Sequence, residues 1–237
     1  TLNEPTSVIG QAYARKEWPP QQGNLFSAFR VFHVLARTHG LAYKTIHDIS
    51  PRARVGFTNV LCYFEPWRKG NLLDCLSVRI AKFLVNEYFF LLTGRDTHDY
   101  IAIQQYFHNQ IAFPWKNKNA NKRVSDMGWE LYPESLYWLL KEWGVYGKPI
   151  YITEHGLADA NDINRMWYIK EVAMHIKRAY DEGVDVRGYF YWSLLDNFEW
   201  DKGFWPRFGL VDVDRKTLER TIRPSAWEYK KIIQENT

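Results

Sequence analysis

The sequence has little of what marks most specialised chains. It holds two cysteines, Cys62 and Cys75, in 237 residues. That is too few for a disulfide framework and lacks metal-ligand spacing, so two reduced core thiols are expected. No apolar run nears the roughly 18 residues of a membrane span. The best stretch, Phe83 to Leu92, is broken by Asn86 and Glu87, and no membrane partner is expected. Neither charge dominates, since 31 basic and 27 acidic residues leave a net +4. With no Lys/Arg block, nucleic acid has no claim as a partner. The histidines form no His-x-x-x-His or Cys/His pair suited to zinc. Gly-x-Gly-x-x-Gly, phosphate-loop and Gly-x-Ser-x-Gly signatures are all missing. Neither metal nor cofactor is expected.

Aromatic residues are abundant. Eleven Trp, 15 Tyr and 14 Phe make up 17% of the chain, and 46% is hydrophobic, which excludes disorder and suffices for a sizeable core. Strand-like runs start near 54, 99, 148 and 186, the first being Arg54–Val60 and the second Asp99–Phe107, followed by Pro149–Thr153 and Val186–Trp192. Helical periodicity appears between them at 26–49, 72–92, 132–140 and 162–182, and again at 224–233. This cadence is that of βα units and implies a parallel sheet. No composition break appears, so residues 1–237 are expected to form a single domain.

The length would allow a small (β/α)8 barrel, but four strands and a stump at Thr1–Pro5 amount to about half of one. The start at Thr1, without Met or leader, reads as processed or truncated. Any leader would lie in the missing part, and a cytoplasmic location is the expectation. Two long loops, His108–Glu130 and Ser193–Arg223, follow strands, on the side where parallel α/β folds place ligands. The basic, Asn-rich stretch Lys116–Arg123 reads as a solvated loop.

Glu4 and Glu154 each stand at the carboxyl end of a strand. Pro5 is expected to hold Glu4 extended, and Gly156 to allow a sharp turn after Glu154. Two carboxylates on one rim suit glycoside hydrolysis. Position alone equally suits ordinary rim glutamates paired with arginines. Trp192, Trp200, Trp205 and Phe208 interleave with Asp196, Asn197 and Glu199. Such a set offers platforms for the C–H face of a sugar and hydrogen-bonding partners for its hydroxyls, although loop tryptophans also serve in packing.

Five blocks, in order, resemble glycoside hydrolase family 1, the β-glucosidases and their relatives. They are Thr-Leu-Asn-Glu-Pro at 1–5, Asp-Met-Gly-Trp-Glu-Leu-Tyr-Pro at 126–133, Tyr-Ile-Thr-Glu-His-Gly at 151–156, Gly-Tyr-Phe-Tyr-Trp-Ser-Leu-Leu-Asp-Asn-Phe-Glu-Trp at 188–200 and Arg-Phe-Gly-Leu-Val-Asp-Val-Asp at 207–214. The resemblance implies a TIM (β/α)8 barrel, here the C-terminal half from the end of strand four through helix eight. It also implies a retaining β-glycosidase whose small-molecule partner is a β-glucoside or oligosaccharide, with unphosphorylated β-D-glucosides favoured as substrates and galactosides or fucosides left open.

By that resemblance Glu4 is the acid/base and Glu154 the nucleophile. Asn3 holds the sugar 2-hydroxyl, and Tyr106 orients the nucleophile. Trp192 floors the glycone site, Glu199 and Trp200 bind its far hydroxyls, and Phe208 packs nearby. Trp129 walls the aglycone site. Relatives that take 6-phosphorylated sugars avoid a carboxylate at the position of Glu199.

Some positions depart from the family pattern. His155 replaces the usual Asn beside the nucleophile, and a cationic His155 would lower the pKa of Glu154. Gln104-Gln105-Tyr106 stands where Asn-Tyr-Tyr is usual, and the chain between the glutamates is trimmed near Thr93–His98. Strands one to three, which supply a glutamine, a histidine and an arginine in the family, have no counterpart. The missing half-barrel or self-association would then be a partner. The alternative to an enzyme is a non-catalytic sugar-binding or assembly fragment.

Overall fold

A computed structural model of the chain describes residues 1–236. Its main sheet contains β1 (Thr58–Pro66), β2 (Ile101–Ala112), β3 (Lys116–Asn117), β4 (Ile150–His155) and β5 (Val186–Tyr191). β1, β2, β4 and β5 lie side by side and parallel, while β3 returns antiparallel on the end of β2. The expected stump is present at the amino end. Asn3 bridges Thr58 in parallel sense, and the Glu4 amide donates to the Thr58 carbonyl at 2.9 Å.

The helices are α1 (Pro5–Ile9), α2 (Leu25–Ile49), α3 (Leu72–Lys82), α4 (Tyr88–Thr93), α5 (Glu134–Gly144), α6 (Arg165–Asp181) and α7 (Pro224–Glu235). Local chemistry sets several starts. The Asn24 side chain caps α2 by accepting from the amides of Phe26 and Ser27, and Pro224 occupies a first-turn position that needs no N–H.

The core sits between sheet and helices. Ile103, Ile150 and Ile152 pack with Leu136, Leu140, Ile169 and Val172 in one buried cluster. Each such side chain contributes about 1.5–3 kcal/mol on burial. These alternate strand positions therefore face the helices.

Several expectations need correction. The first strand begins at Thr58, not Arg54, because ladder pairing to β2 starts only at Thr58 and Ala102. β2 runs to Ala112, so the first long loop starts late and contains the β3 return. The second loop is partly ordered as a hairpin of β6 (Val211–Val213) and β7 (Arg220–Ile222).

The 72–92 helix is broken by a wide π turn at Phe83–Glu87. There the buried Asn86 side chain accepts from the Cys62 amide at 3.0 Å and donates to the Cys62 carbonyl at 2.9 Å. Pinning that amide to β1 takes precedence over the regular helix, since a buried amide needs partners. Cys62 is buried but Cys75 is exposed on α3, so only one thiol lies in the core.

Candidate active site

Asn3 and Glu4 sit where the amino-terminal bridge meets α1. Glu4 is not extended. Its φ of 43° and ψ of 56° are left-handed, because the chain passes from a bridge to a helix within one residue. Such strain, of order 1–3 kcal/mol, is characteristic of functional elbows.

Glu154 is aimed by a bulge. Along β4, Ile152 pairs with Ile103 and Glu154 with Gln104, so Thr153 and Glu154 together oppose one residue of β2. On the other side, Ile152 pairs with Tyr189 and His155 with Tyr191, placing the extra residue on β4 again. Regular alternation would put Glu154 on the helix face with Ile150 and Ile152. The bulge reverses the faces. Glu154 turns to the open side of the sheet, and His155 turns to the helices, where its ring lies 5.1 Å from Tyr168 of α6.

The open side holds a cavity of about 290 Å³. Glu4, Glu154 and Asn3 line it, together with Tyr106, Trp129, Trp192, Glu199, Trp200 and Phe208. The nine residues to which the family resemblance gives a role therefore meet at one place, whereas Asp196 and Asn197 do not line it. Trp205 is exposed and does not line it.

Two neutral donors hold the Glu154 carboxylate. The Tyr106 hydroxyl donates to Oε2 at 3.0 Å, and the Gln104 amide donates to Oε1. Gln104 also donates to Asn3 Oδ1 at 2.9 Å, which further accepts from the Thr58 hydroxyl at 2.6 Å. With its oxygen doubly occupied, Asn3 keeps its amide hydrogens for a ligand. Gln104, where the family resemblance has Asn, thus joins Asn3 to Glu154. Its own Oε1 is buried without a partner.

The carboxylates resist ionisation. Burial raises Glu4, against a hydrogen bond from Ser7. Burial also lifts Glu154 to about 7, helped by the charges of Glu4 and Glu199 and opposed by Tyr106 and Gln104. Glu199 rises to about 7 from burial and from the charges of Glu4 and Asp201. His155 does not act as expected. Fully buried, with Nδ1 3.2 Å from the Tyr189 hydroxyl and Nε2 3.1 Å from the Tyr168 hydroxyl, it is pushed down to about 3 and stays neutral. It supplies no positive charge to Glu154.

Gly156 also differs from expectation, since its φ lies outside the left-handed region. A Cβ there would stand 2.0 Å from the Trp192 carbonyl. Glycine is needed for close approach, not for a turn. Trp18 was not foreseen. It lines the cavity, its ring lies 4.9 Å from that of Trp200, and its indole N–H donates to Asp201 at 3.0 Å. A contact across 183 residues leaves no local sequence signal.

The family model described as Glycosyl hydrolase family 1 matches residues 73–237. The chain belongs to that family. As a member of glycosyl hydrolase family 1, it is 34% identical to a beta-galactosidase of Sulfolobus acidocaldarius, covering 100% of this chain and 54% of that protein. It is 28% identical to Beta-glucosidase A of Thermotoga maritima, covering 100% and 63%. The structure of beta-glucosidase from Thermotoga maritima in complex with deoxynojirimycin superposes with a TM-score of 0.92 at 29% identity, over 100% of this chain and 63% of that one. A beta-glycosidase from Pyrococcus horikoshii does so with 0.87 at 32%, over 97% and 59%. The chain thus spans between half and two thirds of the length of these family 1 relatives, and its parallel sheet with helices is part of the TIM barrel.

Proposed function

We propose that the chain carries the reacting groups of a retaining β-glucosidase that takes unphosphorylated β-D-glucosides. Glu154 attacks the anomeric carbon as the bond to the leaving oxygen breaks, and that oxygen takes the Glu4 proton. Glu4, now ionised, removes a proton from water, which displaces Glu154 and releases the β-sugar. Asn3 binds the 2-hydroxyl and Tyr106 orients Glu154. Trp192 floors the glycone site, with Glu199 and Trp200 on the far hydroxyls and Phe208 behind them. Trp129 walls the leaving group.

One observation carries this reading: Glu4 and Glu154 line one cavity, where burial raises both carboxyls and the charge of Glu4 raises Glu154 further. Two carboxyls on one cavity are what an acid and a nucleophile require. The double-displacement reading requires carboxyl groups roughly 5–5.5 Å apart. A Glu199 carboxylate disfavours a phosphorylated sugar; a relative named Beta-glucosidase A supports glucose, and relatives named Beta-galactosidase support galactose as a second glycone.

The sugar-binding alternative also has its observation. The hydrogen-bond partners of Glu154, Tyr106 and Gln104, are both neutral, and neither can hold it ionised as a cation would. Hydrolysis of an aryl β-glucoside by the 237-residue chain, with Glu154→Gln as control and the product anomer read by proton NMR, tests both. Turnover to β-glucose that vanishes in the variant supports the enzyme. Saturable sugar binding without turnover supports the alternative.

A further inference from the structure

The faces of α3 are the wrong way round for an ordinary surface helix. Its buried side carries Asp74, Ser77, Val78 and Ala81, small or polar for the most part. Its outer side carries the large apolar groups. Leu72 is 83% exposed, Leu76 51% and Leu84 50%, and Leu73, Ile80 and Phe83 are exposed with them. Spaced at three and four residues, they form one stripe of the kind that a surface helix turns inward. An outward stripe of this size marks an interaction surface. A groove of about 480 Å³ lies along it, lined by Leu76, Ile80 and Phe83 with Arg79, Lys82 and Glu87.

The amino end of α3 is basic and aromatic. Arg68 donates to the buried Asp74 carboxylate at 2.8 Å, and the Phe113 amide donates to the same group at 2.9 Å. The end of β1 and the β2–β3 turn are thereby tied to the helix. Trp67, Phe113 and Trp115 are all exposed there. The Arg68 guanidinium and the Lys118 ammonium lie 5.5 Å and 5.6 Å from the centre of the Trp67 ring. Lys69 and Lys116 are exposed as well, and neither they nor Arg79 and Lys118 make an ion pair among the described residues. The acidic groups at this end are taken, Asp74 by Arg68 and Glu65 by His108 and Gln110. At the other end Glu87 is half-buried and Glu142 pairs with Lys82.

We propose that this face docks on an anionic lipid bilayer, with the α3 stripe in the interface and the Trp67–Trp115 end among the headgroups. Leucine and phenylalanine suit the acyl boundary, tryptophan the headgroup level, and unpaired lysine and arginine the lipid phosphates. No helix among the described residues is long and apolar enough to cross a membrane. Lying on one requires only an apolar face, contrary to the expectation drawn from the lack of a long apolar run. Other occupants match less well. A completing half-barrel would attach elsewhere, because β1 is already paired on both sides, by Asn3 and by β2. The layer of α3 and α4 likewise has α2 on one side, through the Phe29 and Tyr88 rings, and α5 on the other, through Lys82 and Glu142. A second copy, turned about a two-fold axis at the helix midpoint, would set Arg79 against Arg79 and offer the basic end one half-buried acid, Glu87.

None of these residues lines the cavity around Glu154, so vesicle binding tests the face apart from the glycosidase reading. The measurement is co-sedimentation of the 237-residue chain with phosphatidylcholine vesicles, with and without phosphatidylglycerol. Binding is expected only with phosphatidylglycerol. It should be weaker at about 1 M than at about 0.1 M salt, since the Debye length shrinks from about 10 to about 3 Å. Lys116→Gln and Lys118→Gln should each weaken partitioning about fivefold. Leu72→Gln with Leu76→Gln should weaken it about tenfold or more, with circular dichroism unchanged. Should the leucine pair fail to fold, the exposed lysines, which hold no ion pair, still decide. Equal binding to phosphatidylcholine alone, no binding at all, or binding that needs the lysines but not the leucines overturns the lipid face. So does a dimer in sedimentation velocity that Leu76→Gln dissociates, which would assign the stripe to a second copy.

Discussion

Glu154 titrates at about 7 because it is buried and because Glu4 shares its cavity. Glu4→Gln removes the neighbouring charge while keeping its shape. The Glu154 carboxyl is then expected to move down by about one pH unit, read by NMR of 13C-labelled glutamate carboxyls. An unmoved resonance would show that the two groups do not sense each other, against the proposed division into acid and nucleophile.

The same shift has a consequence for stability. A carboxyl raised from 4.5 to about 7 makes its ionised form the costly one. The associated stability is full below 4.5 and is lost as pH rises to 7. Glu154→Gln should therefore stabilise the fold at pH 8 by about 1–2 kcal/mol, allowing for solvent screening, and change nothing at pH 4. Denaturant unfolding at both values decides it. Equal stability at pH 8 would contradict the raised titration.

His155 should show the opposite slope. Its pKa is held near 3 by burial, against 6.5 in an unfolded chain. The stability this gives is full above 6.5 and is lost as pH falls toward 3. Between pH 6.5 and 5 the loss is about 2 kcal/mol. His155→Asn is expected to flatten that limb of the pH–stability curve. An identical slope in the variant would mean that His155 is not the group being protonated.

Gly156→Ala should be severe. The added methyl carbon meets the backbone carbonyl of Trp192, which cannot rotate away as a side-chain end could. A cost of about 3 kcal/mol or more follows, with Trp192 displaced from the cavity. Thermal melting and loss of deoxynojirimycin binding would report it, whereas a variant as stable as the parent would refute the close approach.

The residues that meet in the cavity were legible because their identities and order sufficed. A carboxylate before Pro5, another before Gly156 and aromatics after the last strand mark a rim without coordinates. Orientation was not legible. Reading along 150–156 with strict alternation turns Glu154 toward the core and leaves His155 free to act as a cation, because a bulge leaves no compositional mark. Nor could spacing reveal that Gln104 joins Asn3 to Glu154, since three strands have to align before that contact exists. Helix 72–92 failed similarly: its periodicity was sound, but one buried amide, Asn86, outweighed it.

β4 therefore works much like a reading frame. Substitutions along it change one side chain at a time, whereas removing Thr153 would take out the extra residue, restore regular pairing and leave glutamate on the cavity face and histidine on the helix face. Smoothing the bulge with Thr153 kept does the reverse: histidine would face the cavity and glutamate the core, in a sheet whose ladder looks more ideal than the native one. The number of residues set against β2 thus decides which side chain faces the cavity, and a homologue's identity at 154 says little unless that number is kept.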